Sequence, residues 1–403
     1  MKYSISEICE INKFSLKKND VRKKIRYLDT ANLNQNIISK LVTYNLNVDK
    51  IPSRAKRIVR PNDILISTVR PNKLHYGLID NPVENLIAST GFAVLSPNTK
   101  KVNPTYLYIL LTLPSTTNIL QKTAENSTST YPSIKPTVIS ELMFDFPMLE
   151  IQKKIGDFYK SCSKKIELNN QIINTLEKTA TTLFNHWFID FEFPDKNGNP
   201  YKSSGGKLIE SELGEIPEGW EVSSLKNVTE IIMGQSPKGT SYNNENIGLP
   251  LINGASDFKN GFVNPKKYTT EPKKVTKKAD IIFGVRATIG NPTIVQQEYA
   301  IGRGAGIARV IDNHYQEFVF LLLEEMFKYF SNTGSGSVYI NISKNDFESY
   351  KFVHPSLEVI LKFHESVMSI FELIANKRSE IESLKELRNT LLPKLLSGEI
   401  ELE

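Results

Sequence analysis

The chain has 403 residues, 40% of them hydrophobic, and its 50 lysines and arginines against 44 acidic residues give a formal net charge of +6. This length predicts two or three domains with real hydrophobic cores, and the small basic excess permits a polyanionic partner without requiring one. The two cysteines, Cys9 and Cys162, are too few for a disulfide framework or a zinc site.

The sequence shows neither a targeting segment nor a membrane span. The N-terminal stretch from Met1 to Phe14 lacks the charged-then-apolar pattern of a signal peptide. The most apolar runs, Tyr106–Leu113 and Phe318–Leu323, are too short to cross a bilayer. We therefore expect a soluble chain in a reducing, cytoplasmic compartment, with no membrane partner.

Residues 1–149 have the pattern of a mixed α/β domain. Two runs of aliphatic and β-branched residues, Ile64–Val69 and Ile87–Leu95, predict strands, and Asn-Pro and Pro-Asn pairs mark breaks between them. The apolar stretch Tyr106–Leu120 predicts a helix. We expect this segment to fold as one module.

The hydrophobic period then changes to alternating steps of three and four, which is typical of a coiled-coil seam. No Pro or Gly occurs between Asp157 and Asp190, so we predict a helical region over residues 150–189. Its predicted seam residues are Ile155, Phe158, Cys162, Ile166, Leu176 and Leu183.

The second half of the chain repeats this order of segments. Residues 190–219 are dominated by Gly, Pro, Ser and Asn and predict a linker. A second β-rich module is predicted over residues 220–356, and a second helical region over 357–398, closed by Pro393 and Gly398. The seam residues of the second helix are Ile360, Phe363, Val367, Ile370, Ile374, Ile381, Leu384 and Leu391.

Particular residues of the two halves match in the same order along the chain. Tyr131-Pro-Ser-Ile returns as Tyr339-Ile-Asn-Ile, and Ile155 returns as Phe363, each 208 residues later. Upstream, Asp63-Ile-Leu-Ile pairs with Asp280-Ile-Ile-Phe, and each strand is soon followed by an arginine, Arg70 or Arg286. A period this long is a duplicated module, not a solenoid repeat, and a duplicated module suits a target with two similar halves.

Each predicted helix has an apolar stripe that needs a partner, and one chain contains both. We expect the two helices to pack antiparallel as a rod of roughly 55 Å; the alternative is two separate dimerisation coiled coils. The predicted fold class is α+β: two similar mixed α/β domains separated by two long antiparallel coiled-coil helices, with a pseudo-twofold internal repeat.

Catalytic motifs are weak. The five histidines show no metal-ligand spacing, and no nucleophile elbow or phosphate-binding loop occurs. Gly302–Gly306 lies between two strand-like runs and predicts a turn or a close-packed bulge. Asp257 with Glu271 and Lys273 resembles a nuclease metal site, but the pattern is short, so we treat it as chance.

Basic clusters precede the matched strands in both halves, which favours phosphate binding. A solvated lysine-rich loop is the competing interpretation of any single cluster. Arg70 and Arg286 could each read a guanine edge or serve as an ion-pair partner. The candidate DNA-contact residues are Lys17, Lys18, Arg22, Lys23, Lys24, Arg54, Arg57, Arg70, Lys73, Lys266, Lys267, Lys273, Lys274, Arg286 and Arg303.

Three motifs, together with the duplication, resemble the specificity (S) subunit family of type I restriction-modification systems. They are the C-terminal Leu387–Ile400, the segment Gly214–Val222, and Thr181–Phe188 at the end of the central helix. The resemblance covers nearly the whole chain. The first module departs from it by starting at Met1-Lys-Tyr-Ser without a Gly-Trp lead-in, so its edge strand is expected to be shortened.

The resemblance implies that residues 1–149 and 220–356 are target recognition domains, each of which reads half of a bipartite double-stranded DNA site. It implies that the helices set the spacer and dock two methyltransferase (M) subunits, which carry S-adenosylmethionine. It further implies that restriction (R) subunits, up to two, which use ATP and Mg²⁺, can join for cleavage. This chain would then be non-catalytic and would bind no cofactor or metal itself.

Two other functions compete with this interpretation. A stand-alone DNA-binding adaptor without enzyme partners would bind specific DNA tightly as an isolated chain, whereas an S subunit alone would expose helix faces that await partners. A nuclease would cleave DNA in Mg²⁺ and lose that activity in Glu271→Ala. The sequence does not reveal the bases that are read, because readout depends on the geometry of a few loop side chains.

Overall fold

The computed structural model describes residues 1–17, 20, 22–126, 131–285, 289–333 and 343–400, with residues 331–333 described by their backbone alone. The chain divides into two compact units. Unit 1 is Met1–Lys165 with Leu384–Glu403, and unit 2 is Ile166–Ser383. Each unit contains one of the two modules and part of each long helix.

Unit 1 contains the first module, which is built on two four-stranded sheets. Its elements, together with the helix α5 that begins here, are β1 Lys2–Ser4, α1 Ile5–Ile8, β2 Cys9–Ile11, β3 Lys24–Leu28, β4 Leu33–Asn34, β5 Ile37–Ile38, β6 Val42–Asn45, β7 Ala55–Ile58, β8 Asp63–Ser67, β9 Tyr76–Ile79, β10 Leu86–Ser89, β11 Phe92–Pro97, α2 Pro104–Thr112, α3 Pro114–Glu125, α4 Pro136–Ser140, β12 Met143–Asp145 and α5 Leu149–Phe184. One sheet has the strand order β6-β3-β10-β7 and the other β2-β11-β8-β9.

The helix expected over Tyr106–Leu120 is in fact two helices, α2 and α3. The break lies at Leu113, whose backbone is extended (φ −56°, ψ 144°) and is followed by Pro114. A residue before proline is pushed out of the helical region by the proline ring, so the single-helix prediction was wrong at this point. Both helices bury apolar residues in the core of unit 1.

Unit 2 contains the second module, built on a seven-stranded sheet. Its elements, together with the helix α8 that begins here, are β13 Leu208–Ser211, β14 Gly214–Pro217, β15 Glu221–Ser224, β16 Thr229–Met233, β17 Tyr242–Asn243, β18 Leu249–Gly254, β19 Phe258–Lys259, β20 Phe262–Val263, β21 Lys267–Thr269, β22 Ile281–Gly284, β23 Gly290–Ile294, β24 Ala300–Val310, α6 Gln316–Thr333, α7 Lys344–Glu348, β25 Lys351–His354 and α8 Leu357–Ser397.

The two modules share their strand pairing. In the first, β8 pairs antiparallel with β9 and β11, and β3 pairs parallel with β10. In the second, β22 pairs antiparallel with β23 and β24, and β18 pairs parallel with β24. The terminal pairs β1–β12 and β15–β25 also correspond. The edge strand of the first module, expected to be shortened, is present and has three residues against four in the second.

The glycine-rich stretch Gly302–Gly306 lies inside the continuous strand β24 and is not a turn. A Cβ at Gly304 would overlap the carbonyl oxygen of Asn253 on the neighbouring strand. The pairing of β18 with β24 shifts register at this place. The glycines therefore allow close packing of two strands beside a bulge. Of the two predicted alternatives, a turn and a close-packed bulge, the structure shows the bulge.

The two long helices have 36 and 41 residues, and α5 continues into a π-helical turn at Asn185–Ile189. In unit 2, Phe184 of α5 contacts Phe363 of α8. In unit 1, Ile155 near the start of α5 shares a core with Leu395 near the end of α8. Glu177 of α5 also meets Arg378 of α8 in unit 2, and Tyr159 meets Arg388 in unit 1, so contacts later in α5 are made earlier in α8 and the helices are antiparallel in each unit.

Pro393 was expected to help close α8 but lies inside it, and the helix ends at Ser397, before Gly398 with φ +75°. A proline in a helix removes one backbone hydrogen bond. The turn that follows it carries Leu395, which is buried in the unit 1 core, so burial offsets the lost bond.

The segment predicted as a linker, residues 190–219, is folded. Its strands β13 and β14 form an antiparallel hairpin, and the ring of Phe193 stacks on Trp220 with centroids 4.7 Å apart. Phe193 and Ile216 belong to the core of unit 2. The segment is mostly polar, but it contains a few apolar residues that are buried. The free energy gained by burying them exceeds the conformational entropy that the glycines lose on folding. Within the described ranges, no helix has the length and apolarity needed to cross a membrane.

Candidate nucleic-acid interface

In the first module, several basic candidates lie on or beside one sheet, β6-β3-β10-β7. Lys24 opens β3, Lys23 precedes it, and both side chains are exposed. Arg54 precedes β7 and is exposed, and its carbonyl accepts a hydrogen bond from the backbone N–H of Thr90 at 2.8 Å. This bond fixes the Arg54 segment to the turn between β10 and β11.

In the second module, the basic candidates lie around the equivalent strands. Lys267 begins β21, which pairs with β18. Lys274 lies beside the first part of β24, because its carbonyl accepts a hydrogen bond from the N–H of Ile301 at 2.9 Å. This position corresponds to that of β7 beside β10 in the first module. The side chains of Lys266, Lys273 and Lys274 are exposed.

Two candidates of the first module are partly engaged inside the protein. The guanidinium of Arg22 pairs with Asp20, with Nη1 2.7 Å from both carboxylate oxygens, and its Nε donates to Asn85 Oδ1 at 3.1 Å. Arg57 is half-buried, and burial lowers the pKa of its guanidinium. Both side chains are less available to phosphates than the exposed lysines.

Arg70 occupies an unusual place. Its backbone is left-handed (φ 49°), its N–H donates to the carbonyl of Pro132 at 2.9 Å, and its guanidinium lies 4.9 Å from the centroid of Tyr131. The side chain is exposed, as is that of Lys73 at the end of the following 3-10 turn. A strained, non-glycine conformation held by tertiary contacts is common at functional sites.

The remaining candidates are distributed as follows. Arg303 on β24 is exposed, and its Nε donates to Ser236 Oγ at 3.2 Å. Lys17 is exposed at the end of a described range. Lys18 and Arg286 lie outside the described residues, and so do residues 339–342 of the repeat.

The predicted seam residues of the two helices are either buried or half-buried. The buried seam residues are Ile155, Cys162, Ile360, Phe363, Val367, Ile374 and Ile381. The half-buried ones are Phe158, Ile166, Leu176, Leu183, Ile370, Leu384 and Leu391. Burial also raises the pKa of the Cys162 thiol, as expected of a small core residue.

Sequence reasoning missed two polar features of the helices. Glu177 of α5 and Arg378 of α8 form an ion pair, with Oε1 and Nη2 2.5 Å apart. Asn169 is fully buried on α5 between the seam residue Ile166 and the buried Ile173, and its side-chain amide has no hydrogen-bond partner in the described structure. The three–four spacing, continued through polar positions, would have placed Asn169 on the seam.

The described part of the chain contains no group of three or more His, Cys, Asp or Glu side chains that could hold a metal ion. The nuclease-like Asp257 has a local role, since its carboxylate accepts a hydrogen bond from the N–H of Asn253 at 2.7 Å. That bond closes a turn before β19.

Two modules with the same strand pairing, each with exposed basic side chains and each joined to the same pair of long helices, define a duplicated two-module protein. The model of the family described as "Type I restriction modification DNA specificity domain" matches residues 1–178 and 217–383, and the chain belongs to this family.

Curated relatives agree with this assignment. The HindI specificity subunit of Haemophilus influenzae is 28% identical over 413 aligned residues, covering 88% of this chain and 90% of the relative. The putative MjaX specificity subunit of Methanocaldococcus jannaschii is 33% identical over 347 residues, covering 85% and 79%. The S subunit structure from M. genitalium shares the fold, with a TM-score of 0.60 at 16% identity over 98% of this chain and 95% of that one.

The resemblance seen in the sequence is therefore confirmed. The chain is a specificity subunit that recognises DNA sequence within a type I restriction-modification complex, and it is not the catalytic component. The stand-alone adaptor is not favoured. The α+β class with an internal repeat and long helices is also confirmed.

Proposed function

We propose that each module reads one half of a bipartite DNA site and that the paired helices set the distance between the halves. The shared strand pairing of the two modules carries this proposal. A duplicated reader with diverged side chains suits a target whose two halves are approached alike but differ in sequence.

The helices have the properties that a spacer needs. At 1.5 Å per residue, the 36 residues of α5 span about 54 Å. The ion pair between Glu177 and Arg378 and the apolar layer of Ile173, Ile374 and Ile381 join α5 to α8 in unit 2. Side chains packed on both helices resist bending better than a single helix would.

We propose that two M subunits dock on the helices, that they carry S-adenosylmethionine, and that R subunits with ATP and Mg²⁺ join them. This chain itself would hold none of these cofactors. Large apolar residues that stay exposed along both helices are the candidate contacts for such partners, and they would mark a docking site where they form a continuous patch. These residues are Ile151, Leu168, Met368, Leu373 and Leu387. Since its ligand is DNA, we place the complex in the cytoplasm.

For the DNA contacts, we propose that the exposed lysines of the two basic segments neutralise phosphates and that Arg70 approaches base edges. Exposed lysines that form no ion pair with another described residue, such as Lys24 and Lys274, are free to neutralise phosphates, which releases counterions from the DNA. Arg70 is held by its backbone and by Tyr131, so its guanidinium loses less freedom when it binds a guanine.

An exchange of modules tests the proposal. Residues 1–145, which end with β12, are replaced by the first module of another specificity subunit, and methylated sites are mapped in cells that also contain the M subunits. We expect one half-site to change while the other half-site and the spacer stay constant. As a control, the second module is exchanged instead, which should change the opposite half. A chimera that alters both halves, or only the spacer, would contradict the proposal.

A further inference from the structure

A hairpin of the second module lies directly on a buried arginine of α8. The hairpin joins β19 to β20 through Asn260 and Gly261, both with positive φ (53° and 76°), as a tight two-residue turn between strands requires. A Cβ added at Gly261 would fall inside the guanidinium group of Arg378. The backbone of the turn thus lies directly against the guanidinium group, and a side chain at Gly261, besides straining the positive φ, would require Arg378 to move.

Arg378 is held from a second direction. Its side chain is only 18% exposed, and Nη2 lies 2.5 Å from Oε1 of Glu177 on α5. The carboxylate of Glu324 on α6 adds a further electrostatic attraction. One guanidinium group therefore joins both long helices to the hairpin and to a helix of the module.

Apolar contacts on both sides make this joint stiff. Phe262, next to Gly261, packs against the helix cluster of Ile173, Ile374 and Ile381. Phe258, at the start of the same hairpin, is buried in the core of the module's sheet. The short hairpin is consequently anchored in the module at one end and on the helices at the other.

Among the described residues of the first module, the corresponding hairpin, β4–β5, shows no such contact with an arginine of a long helix. The turn there is Gln35-Asn36, also with positive φ, and the following Ile37 is 71% exposed. The duplication thus preserved the hairpin, while the arginine contact belongs to the second module.

We propose that Arg378 is a positioning residue that fixes the orientation of the second module on the helix pair and thereby the spacer length that the complex accepts. This inference rests on the proposed bipartite reading. Arg378 touches no DNA in this scheme. A planar guanidinium can pack flat under the turn and bond Glu177 at the same time, whereas a lysine ammonium cannot do both.

The test uses the complex reconstituted with its M subunits. Binding is measured to duplexes with the native spacer, to duplexes with the spacer changed by one base pair, and to a duplex with only the second half-site. For Arg378→Lys we expect unchanged affinity for the half-site and a roughly tenfold loss of discrimination between spacer lengths. Lys362→Ala, which breaks an exposed ion pair on the same helix, should match the wild type.

Two further variants guard against a folding defect in Arg378→Lys. Glu177→Gln keeps the arginine and weakens only its ion pair, and Gly261→Ala forces the turn and the guanidinium group apart; both should loosen spacer discrimination in a folded chain. Unchanged discrimination in folded Arg378→Lys and Gly261→Ala would overturn the inference. A wild-type complex with no spacer preference at all would instead refute the proposed bipartite reading.

Discussion

Asp63 and Asp280 close the same turn in the two modules. Each carboxylate accepts a hydrogen bond at 2.7 Å from the backbone N–H three residues earlier, of Arg60 and of Lys277. The other contacts have diverged: Asp63 accepts from Ser96 Oγ at 2.7 Å, whereas Asp280 pairs with Arg309 through two bonds of 2.9 and 2.8 Å. The duplication conserved the backbone role and changed the side-chain partner.

This divergence predicts unequal effects of the same substitution. Asp63→Asn should cost about 1 kcal/mol, because the amide can still accept from Arg60 N–H and donate to Ser96. Asp280→Asn should cost about 2 to 3 kcal/mol, because it leaves the guanidinium of Arg309 without its buried partner. Urea unfolding of each variant measures the difference. Equal losses would contradict the assigned role of Arg309.

Leu395 should be a strong determinant of stability although it lies near the C-terminus and follows a helix-interior proline. It is 4% exposed in the core of unit 1, so Leu395→Ala should cost about 2 to 4 kcal/mol. Leu387→Ala on the same helix, where the leucine is 44% exposed, is the matched control and should change stability little. Urea unfolding that shows the same midpoint for both variants would argue against this packing.

Glu324 makes stability depend on pH, because burial raises the pKa of its carboxyl from 4.5 to about 6, against the opposing attraction of Lys328. Between these pKa values the folded state binds more protons than the unfolded state, so the contribution of Glu324 falls as pH rises through this window. Glu324→Gln should therefore raise stability at pH 7 by about 1 to 2 kcal/mol.

The measurement is urea unfolding of Glu324→Gln and wild type across this pH range. The stability gain should vanish below pH 4.5, where the carboxyl is protonated in both states. Glu325→Gln, on the same helix and paired with Lys328 at 2.5 Å, should show no gain. A gain that is independent of pH would point to packing rather than to charge.

The basic segment of the second module should act through phosphates. Lys273→Ala with Lys274→Ala should weaken binding of all sequences alike and lower the slope of log affinity against log salt by up to about two. Lys207→Ala, which removes an ion pair with Glu218 on the hairpin β13–β14, is the control. A change of preferred sequence in the lysine variant would show base readout.

Arg22→Ala should instead lower the stability of the fold, because Arg22 bonds Asp20 and Asn85.

Lengthening the helix pair should lengthen the spacer. One heptad added to each of α5 and α8 extends the pair by about 10.5 Å, which corresponds to about three base pairs of DNA. Mapping of methylated sites measures the result. Seven residues inserted at the exposed turn Ser203–Gly205 should leave the spacer unchanged. If the helix variant methylates sites with the original spacer, the helices do not act as the ruler.

Several features of the protein could be predicted from local sequence. The duplication could be recognised because Ile155 matches Phe363 and the strand at Asp63 matches the strand at Asp280. A duplicated segment keeps its residues in the same order along the chain. The three–four spacing predicted both helices and the residues along their seam, since helical periodicity depends only on the geometry of the backbone. The motifs near Trp220 and Leu395 led to the family.

Other features were decided only by the tertiary fold. Arg22 and Lys23 look alike in the sequence, yet only Arg22 has Asp20 and Asn85 within bonding distance. The sequence around Arg378 does not predict its contact with Gly261, which lies more than a hundred residues earlier, or its ion pair with Glu177 on the other long helix. Whether a charge faces solvent, a partner or a backbone turn depends on which distant segments pack beside it. Periodicity and local motifs do not determine which distant segments come together in the fold.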